Sequence, residues 1–300
     1  MNMMYNFWKI ILLLVLGLNS TITFSQSDYL AYYNLVNKAG QNWHEKDYEE
    51  ALVHYQKAFE LVSFVHAENY AKAARVAAKL KHFSLTAEYM SKAIRQGYPD
   101  SFLKQTSFKQ FKKSSYFQTM QATIVTHQPA IGSIYRRKID SLHFIDQNYL
   151  RGNKTVTGFE LDTTLTYSDA QNFDCLKRLI AENGFPSEAL IGFQGYRKAW
   201  VLLLHNVRLE ENHDYQDRLL DALKSGYYLP EHYCWVIDQG QQVKNEALIY
   251  YHWDVAQDID QLNPEEKASI DERRRAVGMP SIERIKVVKS SGKKKNILKW

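Results

Sequence analysis

The run Ala199 to Leu204 is apolar on every side and sits inside a longer stretch, Ile191 to Asn206, that reads as helix. A helix without a polar face must be covered all round, so this one belongs at the centre of its domain with other elements packed about it. The run is too short to cross a bilayer, which takes about 20 apolar residues. His205 and Asn206 close it, and a titratable group therefore stands where the core helix reaches the surface.

Three hundred residues, 45% of them hydrophobic, suffice for a proper core and leave room for about two domains. The net charge of +5 suggests a polyanion partner until its distribution is considered. Seven basic residues and no acid lie between Arg284 and the C-terminus, which leaves the rest of the chain at −2. The excess belongs to a tail, so the folded body carries no basic footprint for nucleic acid.

At the N-terminus Lys9 precedes the nine-residue apolar run Ile10 to Leu18, and Thr23 and Ser25 place small residues at −3 and −1 of a cut after Ser25. That order is a secretory signal. An uncleaved anchor would need a longer apolar run, and no cysteine follows to carry a lipid. The expectation is an exported chain, periplasmic or extracellular, starting near Gln26 and without a membrane span. Cys175 and Cys234 are the only cysteines. In an oxidising compartment they form either a disulfide or two buried thiols, and spacing does not choose between these.

From Tyr29 to Gln96 the chain reads as paired helices. Tyr48, Ala51, Tyr55 and Ala58 recur, at the same offsets, as Phe83, Thr86, Met90 and Ala93, a shift of 35 residues. The spacing puts a small residue one turn before a large one on a single face, which lets a neighbouring helix approach closely. Lys46 to Ala58 resembles the second helix of a tetratricopeptide repeat, with Leu35 and Ala39 at the large and small positions of the first helix. Two such units need a further one to cover their open end. Ser101 to Ile124, with Phe102, Phe108, Phe111 and Met120, is the candidate. The resemblance implies a protein- or peptide-binding module.

Beyond Pro129, amphipathic helices are expected over Ile131 to Tyr149, Asp169 to Asn183, Tyr215 to Lys224 and Pro230 to Asp238. Arg151 to Thr166 reads as a loop or short hairpin, and Ala247 to His252 as a strand or a helix. The last helix is marked by Asn263 as cap, Pro264 in its first turn, Glu265 and Glu266 at its positive end, and Gly278 then Pro280 at its close.

Asp146-Gln147, Asn172, Gly184-Phe185-Pro186, Ile191-Gly192, Trp200 to His205, Asp238, Tyr250 and Asp271 to Pro280 follow one another in the order of the motifs of an uncharacterised bacterial domain family, which the second half resembles from Ile131 to Ile285. That family carries Gln-His after a Trp-Leu-Leu run, then Asp-Arg, Tyr-Gly-Thr-Gln, and a closing Arg-Arg with Gly-Leu-Pro. Here Leu204 stands for the Gln, Gln239 for the Arg, and Tyr251-His252-Trp253 for Gly-Thr-Gln. The resemblance implies a domain boundary and no particular reaction.

If the ends of these elements converge, His205 is a candidate general base, Asp238 its orienting carboxylate and Arg274 an anion holder, with Tyr250, His252 and Arg273 as ligand-binding neighbours. The plainer alternative makes His205 a helix C-cap and Asp238 with an arginine a structural ion pair. His252 and Asp254 do not complete a metal site, and the zinc-protease, phosphate-loop and nucleophile-elbow motifs are missing, so no metal or cofactor is expected. The whole is expected to be mainly α: a leader over 1–25, a repeat array over 26–126, a helical domain over 131–285 and a basic tail over 286–300. Its expected work is to bind a protein or peptide of the cell envelope through the concave face of the repeats, with hydrolysis or small-ligand binding in the second half as the alternative.

Overall fold

The computed structural model describes residues 26–125, 134–147, 169–207, 214–252 and 259–284. The leader, the boundary at Pro129, the polar stretch Arg151 to Thr166, Asp254 and the tail 286–300 lie outside the described residues. Among those described the protein is mainly α, without a strand, and no helix is long and apolar enough to cross a membrane.

The first half is two helical hairpins, α1 (Gln26–Glu45) with α2 (Tyr48–Glu60) and α3 (Ala67–Lys79) with α4 (Phe83–Arg95). The sequence period is a structural one. Lys46 and Lys81, 35 residues apart, both take left-handed backbone (φ 66° and 63°) to turn the chain between the helices of a pair. Asp47 then caps α2 by accepting from Glu50 N–H at 3.3 Å. Ala51, Tyr55 and Ala58 are buried, and so are Thr86, Met90 and Ala93 at the matching offsets. Thr86 tolerates burial because its hydroxyl donates to the His82 carbonyl at 2.9 Å. Past α4 the chain makes three short 3-10 turns and α5 (Ser115–Val125), and Phe102, Phe108, Phe111 and Met120 join the core of the hairpins.

The second half holds α6 (Ile134–Ile145), α7 (Asp169–Asn183), α8 (Glu188–Val207), α9 (Asp214–Lys224), α10 (Pro230–Lys244) and α11 (Pro264–Ala276). α8 carries the apolar run and packs against α6, α7 and α10, with Ile191, Tyr196, Ala199, Leu202 and Leu203 almost wholly buried. Gly192 interrupts it at φ 72°, ψ 166°, a conformation that side chains resist, so the helix proper starts at Phe193. The amide of Phe193, released from the helical ladder, donates instead to the Gln96 carbonyl just past α4 at 2.8 Å. Asn263 caps α11 as its sequence predicts, and Glu266 completes a capping box: Glu266 N–H donates to Asn263 and Asn263 N–H to Glu266.

One hydrophobic core joins the two halves. Tyr29, Tyr32 and Tyr33 of α1, with Ala58, Val62 and Val65, pack into the cluster that holds Leu202, Leu203, Leu219 and Tyr228. Gly226 (φ 75°) is tight against this face, since a Cβ there would come within 2.1 Å of the Tyr29 ring. Cys175 and Cys234 are free thiols, the second buried. Ala247 to His252 is neither strand nor helix: Tyr251 is left-handed (φ 50°), and side chains satisfy the backbone groups of the segment.

The ring of Trp200 on α8 lies 4.1 Å from that of His232 on α10, nearly parallel at 14°. Burial pushes the His232 imidazole well below its ordinary pKa, and the nearby charge of Arg197 acts in the same direction. The unfolded chain regains the ordinary value near 6.5, so below that pH the unfolded state binds the additional proton. This contribution to stability is therefore complete above about pH 6.5 and declines on acidification, by up to about 1.4 kcal/mol per pH unit. A proton NMR titration of the His232 ring signals tests it: the midpoint is expected well below the ordinary 6.5. An ordinary midpoint for His232 would contradict the packing described.

Candidate functional site

The residues nominated by sequence fall into two groups. Asp238, Tyr250, His252, Arg273 and Arg274 come together, and His205 pairs elsewhere. Asp238 on α10 is completely buried. One of its oxygens accepts from Ile249 N–H and Tyr250 N–H, each at 2.9 Å, and the other from His252 N–H at 2.6 Å. Burial raises its carboxyl pKa, against which these three bonds and the charge of Arg274 work. Arg274 on α11 is equally buried and donates to the carbonyls of Pro280 and Tyr250, each at 2.6 Å. Arg273 donates to the Ile249 carbonyl at 2.9 Å and to Ser269 Oγ. Acid and guanidinium thus hold opposite sides of one backbone segment. His252 stacks on Trp235 at 5.1 Å and the Tyr250 ring sits edge-on to Tyr233 at 5.7 Å.

His205, at the end of the core helix, places Nδ1 2.8 Å from Oδ2 of Asp146, which is buried and also accepts from Gln147 Nε2 at 2.6 Å. Its partner is therefore Asp146 and not Asp238. Sequence did carry the signal, since Asp146-Gln147 and His205 stand in the same set of motifs. Among the described residues no group of three or more His, Cys, Asp or Glu side chains gathers as a metal site would require.

A different site lies where the halves meet. A cavity of about 130 Å³ opens between α1, α3 and the second half. α1 supplies Tyr33, Val36 and Asn37 to its wall, and the start of α3 supplies His66, Asn69 and Lys72. Leu229 and Pro230 at the start of α10, with Gly278, Met279 and Arg284 past α11, close the other side. Cross-links define the seam: Tyr33 Oη donates to the Tyr228 carbonyl at 3.2 Å, Asn37 Nδ2 to the Gly278 carbonyl at 2.8 Å, and Arg284 Nη1 to the Asn37 carbonyl at 2.6 Å. None of the residues nominated from sequence lines this cavity.

At its inner edge is a buried pair, His66 and Glu188. His66 precedes α3 and gives it no side-chain cap. Glu188 serves from 122 residues away: Oε1 accepts from Ala67 N–H at 2.7 Å, and Oε2 lies 3.1 Å from His66 Nδ1. A carboxylate at a helix N-terminus meets unpaired N–H groups and the positive end of the dipole. Sequence reasoning missed both residues. The available signal was a helix start, His66-Ala67-Glu68-Asn69, with no capping residue ahead of it. No family model, no curated protein and no solved structure matches this chain.

The geometry around Asp238 has a measurable consequence. Asp238→Asn replaces an acceptor oxygen with an amide donor facing N–H groups, and is expected to cost about 3 kcal/mol. Exposed Asp217→Asn should stay within about 0.5 kcal/mol. Urea denaturation of both variants checks this, and equal midpoints would deny Asp238 its role in holding residues 249–252.

Proposed function

We propose that this chain is an exported binding protein that receives the apolar side chain of a short peptide, or a free ligand of that size, in the cavity between its halves. The observation that carries the reading is the cavity itself: 130 Å³, largely apolar in its wall, with amides and a buried histidine at its margin. Sites for small ligands have this make-up, an apolar hollow with a few placed polar groups. The resemblance of the hairpins to tetratricopeptide repeats favours a peptide. One side of α1 is covered by the chain's own second half, which restricts the partner to a single inserted group instead of a long segment laid along the repeats. Export rests on the N-terminal order of charge, apolar run and small residues.

Val36→Trp tests this by filling the cavity from α1. Tetrapeptides of random sequence, followed by their effect on the melting temperature, should stabilise the wild-type chain and leave the variant unmoved. Stabilisation that survives in Val36→Trp would place the partner elsewhere.

One observation favours a second reading, hydrolysis at His205. Buried Asp146 holds the ring through Nδ1, an arrangement that fixes the tautomer and presents Nε2 as a base. Asp238 and Arg274 are not beside His205 in this pairing, since Asp146 holds the ring while Asp238 and Arg274 bind the backbone at residues 249–252 and Pro280. With p-nitrophenyl acetate as substrate, His205→Gln should lower turnover about 100-fold without loss of fold. A wild-type chain without turnover ends this reading.

A further inference from the structure

We propose that the first half carries an oxyanion site anchored by Arg75 of α3, which takes a single carboxylate on a guanidinium held over the ring of Trp43. The carboxylate belongs to a small free acid or to a peptide, and Lys72 and Arg284 supply the positive field around it. The inference goes beyond the cavity reading and does not depend on it, since Arg75 forms no part of that wall.

The Arg75 guanidinium lies 4.3 Å from the centre of the Trp43 ring on α1 and 6.0 Å from that of Phe102 beyond α4. Ring faces attract a cation, but they do not replace the acceptor oxygens that its five N–H groups call for. Nε is buried without a hydrogen-bond partner, and among the described residues no oxygen accepts from Nη1 or Nη2 either. The residue is only partly buried, and the two terminal nitrogens, unlike Nε, are open to solvent. A ligand can therefore reach the fork. Arginine keeps its proton at any ordinary pH, so this is a standing charge whose hydrogen-bonding edge is unmet. Charges withdrawn from water are as a rule paired.

The surroundings add charge of the same sign. Lys72 stands one turn earlier on the same face of α3. Arg284 arrives from the second half, where its Nη1 donates to the Asn37 carbonyl at 2.6 Å and its Nη2 would meet a Cβ on Gly40 at 2.7 Å. Gly40 on α1 matches Arg75 on α3 in the 35-residue period, so the two guanidinium groups belong to equivalent places of the two hairpins. Both act on the same neighbours. Burial lowers the pKa of His44, and Arg284 and Arg75 lower it further. Burial raises that of the Tyr55 hydroxyl, against which Lys72, Arg75 and Arg284 work together. The acids of this region bond elsewhere: Glu68 holds Lys72 at 2.9 Å, and Glu45 accepts from Gln41 at 2.9 Å. Lys72 thus has a carboxylate and Arg284 a carbonyl, which leaves Arg75 as the cation to be matched by one negative charge. A planar carboxylate fits a guanidinium fork with two parallel hydrogen bonds.

The test is a titration of the full chain with acetate, replacing chloride at constant ionic strength, followed by the indole N–H resonance of Trp43. Saturable movement is expected in the wild-type chain. Acetate should bind Arg75→Lys at least about tenfold more weakly, because an ammonium keeps the charge and loses the fork. Arg75 donates no hydrogen bond to a described residue, so the variant is expected to fold. The Nε–H resonance of Arg75 in the wild-type chain should move with the same midpoint, a readout that needs no variant. N-acetylalanine and the α-amide of N-acetylglutamate present a terminal and a side-chain carboxylate. Tighter binding of either than of acetate assigns the site to a peptide, and equal binding of all three to a free acid. Equal acetate affinity in Arg75→Lys overturns the inference, since a diffuse positive field would then suffice. Inorganic phosphate binding at least about tenfold tighter than acetate overturns the carboxylate as its ligand. Resonances of Trp43 and Arg75 that stay in place up to about 100 mM acetate remove the site altogether.

Discussion

The carboxylate of Glu188 is where the architecture is fixed. It is 2% exposed, and an ionised group so placed is tolerated only when its oxygens are occupied. Both are, and both partners come from the first half: the amide that opens α3 and the imidazole that precedes it. The arrangement is mutual. α3 starts without a cap of its own, and the second half supplies one. Removing either side would leave a buried charge or an orphan donor, so the two halves are held in one register by polar groups that have no alternative partner.

Four residues further on, Gly192 turns that register into a path for the core helix. Its left-handed backbone frees the Phe193 amide, which is satisfied by the Gln96 carbonyl beyond α4. Gln194 adds a weaker bond to Gly97 at 3.4 Å. α8 therefore leaves the seam aimed into the second half, where its apolar run is enclosed by α6, α7 and α10. On the other side of the seam, the tyrosines at 29, 32 and 33 would be a large exposed aromatic face on an isolated array. Buried against the second half, they instead contribute to its core.

Polar side chains inside this molecule do two kinds of work, shaping irregular backbone and joining the two halves. Asp238, Arg273 and Arg274 direct their polar atoms chiefly at backbone, and what they accomplish is the shape of residues 249–252. Irregular backbone in a protein interior needs such partners, because neither helix nor sheet supplies them. His66 differs. One nitrogen is bound to a carboxylate that orients it, and no described residue bonds the other.

Local physics determined much of this protein in advance. The apolar circumference of Ala199 to Leu204 required a central helix, the 35-residue recurrence set the two hairpins, and Asn263-Pro264 with Glu266 set the start of α11, because each depends on neighbours within a few turns of the same helix. The choice of partner across the chain was decided by tertiary structure alone. His205 reads as readily with Asp238 as with Asp146, since both are acids ahead of or behind the core helix, and only the packing of α6 on α8 selects the second. Ala247 to His252 carries an apolar pattern fit for a strand, yet among the described residues none pairs with it as one, and it takes its form from Asp238 and Arg274. His66 and Glu188, 122 residues apart, carry no mark of each other in the sequence. A buried ion's partner is set by which surfaces meet, and that is a property of the folded whole.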